Sequence, residues 1–287
     1  MGQQPLRLRR VGWWAMSATG LLTLTACSAT TQDEWKRGAM PQGASSESAP
    51  VINFWQWSWV AALIVGVLTW GLILFAAIHY RRRDDDEIPV QTRYNLPMEL
   101  LYTVAPVIVV LVFFKFVIDT QEAIAASDGD DADHVIKVVG QQWSWTFNYI
   151  EDPALDGQTT VFQAGTPEDI PTLYLPVNES VEFQLRSPDV IHSFWVPAFT
   201  YKLDVIPGRE NNFTMTPIRE GEFAGRCAEL CGTYHSRMLF NVKVVSAEEY
   251  AAHLQELEDE GNTGEAVGGE NATTTEGLED AESGANE

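Results

Sequence analysis

A two-helix membrane hairpin followed by an all-β Greek-key sandwich is the fold class this sequence predicts. Three observations carry it. Residues 51–78 contain no charged side chain, residues 98–118 form a second apolar run, and the chain beyond an acidic linker at 127–133 breaks into short, alternating β-like runs.

The chain first shows an export plan. Arg7, Arg9 and Arg10 precede an apolar stretch at 11–24 that is too short to span a membrane comfortably, and it ends in Leu24-Thr25-Ala26-Cys27. This tetrapeptide resembles a bacterial lipobox, which implies cleavage before Cys27 and lipid attachment to its sulfur. An ordinary signal peptide with a cysteine nearby is the competing reading.

Residues 51–78 suffice to cross the hydrocarbon core, with Trp55, Trp57 and Trp59 at one end and Tyr80 at the other, where amphipathic rings favour the interface. The second run has Glu99 and Lys115 near its ends, both able to snorkel, and Pro106 inside, which a membrane helix tolerates. Arg81, Arg82, Arg83 and Arg93 in the connecting loop place that loop in the cytoplasm, so both outer ends of the hairpin face outward. A lipidated Cys27 requires the same orientation. His79 is expected to be interfacial, without a special task.

After the linker, "HVIKVVGQQWSWTFNY", "PTLYLPVNESVEFQLRS", "SFWVPAF", "NNFTMTPI" and "LFNVKVV" read as strands, and Val181, Phe183 and Leu185 alternate as half-buried strand residues do. Trp143 and Trp145, two apart, are expected on one face of a strand. "SAEEYAAHLQELEDE" reads as a short helix with Ser246 as its N-cap and Glu249 three residues on. The expected organisation is a signal over 1–26, an exported segment over 27–50, a hairpin over 51–120 with spans at about 52–80 and 98–119, a sandwich over 134–246, and an acidic, largely disordered tail over 247–287.

The net charge is −22, and residues 247–287 hold 13 acidic side chains and no Lys or Arg. The remainder is still acidic, which argues against a nucleic-acid partner, since phosphate binding needs the opposite sign. Three cysteines are too few for a disulfide scaffold.

The chemistry concentrates in "CAELCGTYHSRM". Cys227, Cys231 and His235 have the spacing C-x3-C-x3-H, Met238 follows three residues later, and His192 lies upstream in "DVIHSFWVPAF". Thiolate, imidazole and thioether together match the softness of copper, whereas calcium and magnesium want oxygen and zinc rarely takes a thioether. Alternatives stand beside this: a disulfide between the two cysteines, a structural Cys2His2 zinc site, or a mononuclear blue copper site that would leave one cysteine over.

Together with "GQQWSWTF", "IHSFWVP", "KLDVIPGR" and the two amino-terminal spans, this segment resembles subunit II of the haem-copper cytochrome c oxidases over residues 50–245. The resemblance implies a cupredoxin-like sandwich holding two copper ions in the mixed-valence A site. Cys227 and Cys231 would bridge both ions, His192 and His235 would each bind one, and Met238 and the Glu229 carbonyl would complete the set. It further implies that Trp143 is where electrons enter, although Gln141 and Ser144 stand where the family commonly has a histidine and an aromatic. The Glu229 carboxylate would bind Mg2+ at the contact with subunit I; otherwise it is a solvated loop acid. Glu99 would sit at the mouth of a proton channel in subunit I; otherwise it is a favourable helix-start carboxylate.

The implied function is electron acceptance from a cytochrome c, or a cytochrome c domain of another complex, and delivery to haem in subunit I, where O2 is reduced to water with proton pumping. Implied partners are subunits I and III, a copper-insertion chaperone and the lipids of a bacterial plasma membrane, with the copper domain on the outer face. Three rivals differ in kind. A quinol oxidase subunit keeps the fold without copper ligands, a membrane-anchored copper carrier needs no oxidase, and nitrous oxide reductase shares the motif without this hairpin.

Overall fold

The computed structural model describes residues 29–84, 88, 91–125 and 132–267. The expected signal and Cys27 lie outside the described residues. The chain divides into two units, Met1–Gln42 and Gly43–Glu287. Of the first, the described part holds a short helix, α1 (Ala29–Lys36), with an Asp33–Lys36 ion pair on its exposed side.

The second unit opens with two apolar helices, α2 (Ser48–His79) and α3 (Leu96–Ala125), each long enough to cross a bilayer. Most of their large side chains point away from the protein, as lipid-facing residues do, and Phe54 meets Phe113 edge-on between the helices at 6.3 Å. The second helix begins two residues before the expected span and continues past it to Ala125. Lys115 and Asp119, one turn apart, form an ion pair, so the polar end is still helical. Pro106 lies within it.

Among the described residues ten strands follow: β1 (His134–Gln141), β2 (Ser144–Tyr149), β3 (Val161–Ala164), β4 (Thr172–Pro176), β5 (Val181–Arg186), β6 (His192–Val196), β7 (Tyr201–Val205), β8 (Asn211–Met215), β9 (Gly221–Cys227) and β10 (Leu239–Val245). They form two five-stranded sheets, ordered β3-β2-β1-β5-β8 and β4-β10-β9-β6-β7. Pairing is antiparallel except for β1 with β5 and β10 with β4. The expected two-helix hairpin and β-sandwich are therefore what the chain forms.

Alternation builds the core. Ile136 and Val138, Trp145, Phe147 and Tyr149, and Val181, Phe183 and Leu185 all point inward from the first sheet. Phe194 and Phe240 answer from the second. Phe240 stacks on Phe194 at 4.9 Å and meets Trp145 at 5.3 Å, while Phe183 lies 5.6 Å from Phe194. Aromatic pairs across the sheets thus hold them together, each worth about 1 kcal/mol beyond the area it buries.

Two expectations are corrected here. Trp143 is not on a strand face with Trp145: it lies in the turn between β1 and β2, whereas Trp145 is in β2 and fully buried. The register, in which Gln141 pairs with Ser144, leaves only Gln142 and Trp143 to make the turn. The tail does not begin at 247. Residues Ala247–Asp259 form a helix, α4, which buries Tyr250, Leu254 and Leu257, and Ser246 accepts a hydrogen bond from the Glu249 amide at 3.2 Å. The chain then pairs with β3 through Phe162 N–H to the Asn262 carbonyl and Gly264 N–H to the Thr160 carbonyl. Asn148 exchanges two hydrogen bonds with the Ala266 backbone. A spaced apolar triad and one matching asparagine outweigh the acidic composition. Residues 268–287 lie outside the described residues.

Candidate metal centre

The centre is assembled from two places in the second sheet. Cys227 is the last residue of β9 and Met238 immediately precedes β10, so the segment between them is a hairpin loop whose neck closes through Cys227 N–H to the Met238 carbonyl at 3.0 Å. His192 is the first residue of β6, which pairs with β9 and places Phe194 opposite Cys227. A single turn of 3-10 helix, His235–Arg237, brings His235 back toward the sulfurs.

Cys227 Sγ and Cys231 Sγ are 3.8 Å apart and not linked. Cys227 Sγ is 3.9 Å from His192 Nδ1 and 3.2 Å from the Glu229 carbonyl oxygen. Cys231 Sγ is 3.6 Å from His235 Nδ1 and 3.7 Å from Met238 Sδ. The ligand atoms of His192, Cys227 and Cys231 form a cluster able to hold a metal. Every donor singled out in the sequence is thus brought into contact with one of the two sulfurs. Cys227 and Cys231 are 4% and 3% exposed, and His192 and Met238 are fully buried. The two sulfurs are not joined as a disulfide in this structure, and the donor chemistry fits soft metal ions.

Residues outside the spacing pattern hold the ligands in place. Asp189, also buried, bonds His192 Nε2 at 2.8 Å and accepts the Gln142 amide at 2.7 Å. That bond fixes the imidazole so that its Nδ1 faces Cys227. Gln142 Nε2 and the Trp143 indole N–H both donate to the Cys231 carbonyl, at 2.7 and 3.2 Å. Trp143 is half-buried and packs edge-on against the exposed Tyr234 at 4.9 Å. Gly232, at φ +122, permits this approach, because a Cβ there would lie 3.2 Å from the Trp143 ring. Asp189 and Gln142 were not picked from the sequence. Their only signals are an acid three residues before His192 and an amide beside Trp143.

Burial opposes charge throughout the site, yet the Asp189–His192 contact keeps the carboxyl below its ordinary range and the imidazole above. Burial likewise works against a Cys227 thiolate, but hydrogen bonding to His192 outweighs it and lowers that thiol to about 7. Burial and then the neighbouring Cys227 charge push Cys231 up to about 12.

The remaining residues lie apart. Glu229 points to solvent beside Leu230, which is 76% exposed. Glu99 is far along the chain in the first turn of α3, where its carboxylate accepts the Asn95 amide at 2.9 Å and closes the helix start.

Residues 134–245 match the family described as cytochrome c oxidase subunit II, periplasmic domain. The whole chain is 46% identical to the probable cytochrome c oxidase subunit 2 of Streptomyces avermitilis, with 90% of each chain covered. The chain belongs to the cytochrome c oxidase subunit 2 family. The probable subunit 2 of Streptomyces coelicolor is 45% identical over the same shares. A crystal structure of the periplasmic domain of the Bradyrhizobium japonicum subunit II is 32% identical, covering 45% of this chain and 96% of that one, with a TM-score of 0.40.

As a member of this family the chain is an oxidase subunit, which implies a complex with other oxidase subunits. It is a membrane protein with an outward-facing sandwich, and its His, Cys, Cys cluster is a copper site.

Proposed function

We propose that this chain accepts single electrons at two copper ions bridged by Cys227 and Cys231, with His192 and His235 as one terminal ligand each and Met238 and the Glu229 carbonyl completing the set. The observation that carries it is the pair of unlinked sulfurs 3.8 Å apart, each beside a different imidazole. Two sulfur-bridged copper ions supply a site that shares one electron over both metals, so each bond changes little on transfer.

The protein's own residues prepare that site. Asp189 anchors His192 on its far nitrogen, the β9–β10 neck fixes the cysteines, and buried Met238 and Phe194 exclude water. The half-buried Trp143, bonded to the Cys231 carbonyl, is the point where electrons enter from a cytochrome c or a cytochrome c domain. An acidic chain suits a basic donor through electrostatic steering.

The exposed Glu229 and Leu230 support a contact with subunit I, with the Glu229 carboxylate on Mg2+ and haem beyond it in that subunit. Glu99 serves proton uptake toward subunit I. Subunit III, membrane lipids and a copper-insertion chaperone complete the partners, and Cys27 carries the lipid. A membrane-anchored copper carrier, which needs open and exchangeable coordination, is disfavoured by the burial of His192, Cys227, Cys231 and Met238.

The test is to load the full-length chain with copper in detergent. A purple protein whose unpaired spin couples equally to two copper nuclei is expected, and that signal should vanish in Cys227→Ser and in Cys231→Ser. Zinc in the purified protein, or a bond between the two sulfurs, overturns the reading.

A further inference from the structure

The segment just before the first span is not a free leader. Ala44 and Ser45 are fully buried and Ser48, the first residue of α2, is 2% exposed. Ala44 N–H donates to the Ala198 carbonyl at 2.8 Å, and the Ala44 carbonyl accepts from Ile218 N–H at 2.9 Å. Ser46 N–H donates to the Thr216 carbonyl, and Ser45 pairs with Pro217. The Ser45 and Ser48 hydroxyls touch each other at 3.1 Å and both donate to the Phe199 carbonyl, at 3.3 and 3.2 Å. Gly43 cannot be larger without a shift, since a Cβ there would lie 2.5 Å from the Ser48 Cβ.

These contacts grip two particular places. Ala198 and Phe199 lie in the turn that ends β6, and residues 216–218 join the first sheet to the second. β6 begins at His192 and lies beside Cys227, so one strand of about 13 Å links the gripped turn to the metal ligands. The outer end of α2 is thus fastened, through buried hydroxyls and backbone bonds, to the turn that follows the strand carrying His192. The other connection passes through residues 126–131, outside the described residues.

We infer that residues 43–48 form a strap that sets the position of the copper-bearing sandwich over the membrane hairpin for electron delivery to a partner subunit, with Ser45 and Ser48 as positioning residues. The inference rests on the copper reading above and adds the element that places the site. Hydrogen bonds in a dry contact fix an orientation that a linker of the same length leaves open.

The experiment uses the assembled oxidase with two variants: Ser45→Ala/Ser48→Ala, and an insertion of two glycines between Glu47 and Ser48. Three quantities are read: the copper spin signal, the rate of electron transfer from copper to haem, and hydrogen exchange at the Ala44, Ser46 and Ile218 amides. The expected result is an unchanged spin signal, faster exchange at those amides, and transfer slowed severalfold in the insertion variant. The double alanine variant should fall between it and the parent. Parental transfer rates in both variants, with exchange accelerated, overturn the inference. So does loss of the copper signal in both, which would make the strap a folding element. A parent oxidase without the two-copper signal overturns the copper reading instead. Slow exchange at the three amides would then still mark a structural clamp, with nothing for it to position.

Discussion

Two buried histidines of the sandwich face carboxylates, and they are used in opposite ways. His192 gives Nε2 to Asp189 and turns Nδ1 toward Cys227 Sγ. His134, at the start of β1, spends both nitrogens: Nδ1 on the buried Asp152 at 2.9 Å and Nε2 on Glu179 at 2.6 Å, while the Tyr250 hydroxyl of α4 donates to the same Asp152 oxygen at 2.7 Å. The first ring is half engaged, hence a ligand; the second is fully engaged, hence a rivet between β1, two turns and α4. Burial and an acidic neighbour are common to both, so neither distinguishes a metal site. The unspent ring nitrogen does.

Breaking the rivet should have the larger effect on the fold. Burial acts against a charged His134, but its two carboxylate bonds prevail and raise it above the ordinary 6.5. Its contribution is therefore complete below pH 6.5 and fades as pH rises through the raised folded value. His134→Gln is expected to cost about 3 kcal/mol at pH 6, because the buried contact with Asp152 loses its cationic member. Denaturant unfolding should show a smaller loss at high pH, with the copper spectrum unchanged throughout. A pH-independent loss would mean that His134 acts through packing alone.

The opposite outcome belongs to the ligand side. Asp189→Asn should leave the folding midpoint nearly in place while weakening copper binding by about tenfold to a hundredfold, since the acceptor that orients the His192 ring loses its negative charge. Competition with a copper chelator reads this directly. Equal affinity in parent and variant would show that packing on Trp145, whose ring lies 6.3 Å away, orients His192 instead.

The smallest effect sharpens the role of α4. Ser246→Ala removes the cap of the helix that carries Tyr250 and should cost about 1 kcal/mol in thermal unfolding, without touching the copper site.

The sequence makes these regions unequally legible. Long, predominantly apolar runs announce α2 and α3, because crossing a bilayer demands apolar length. The proposed ligand set of Cys227, Cys231, His235 and Met238 is legible because one loop delivers all four, and His192 because of the family motif around it. The turn holding Trp143 was not, since W-S-W has the alternation of a strand and only the pairing of Gln141 with Ser144 reveals the break. β3, β7 and β9 lacked a clear alternating signal, and β9 has mostly exposed residues before Gly225. Asp189 and Asp152 read as ordinary loop acids, because their role depends on histidines brought to them by folding.

The pairing of Asn262 and Gly264 with β3 has a consequence for the life of the protein before metal arrives. β3 is the outermost strand of its sheet, and an uncovered rim of that kind is a template on which other chains can build. By laying its own backbone there, the chain occupies that margin at Thr160 and Phe162. A polypeptide shortened before Asn262 would regain that stickiness while keeping every ligand of its metal.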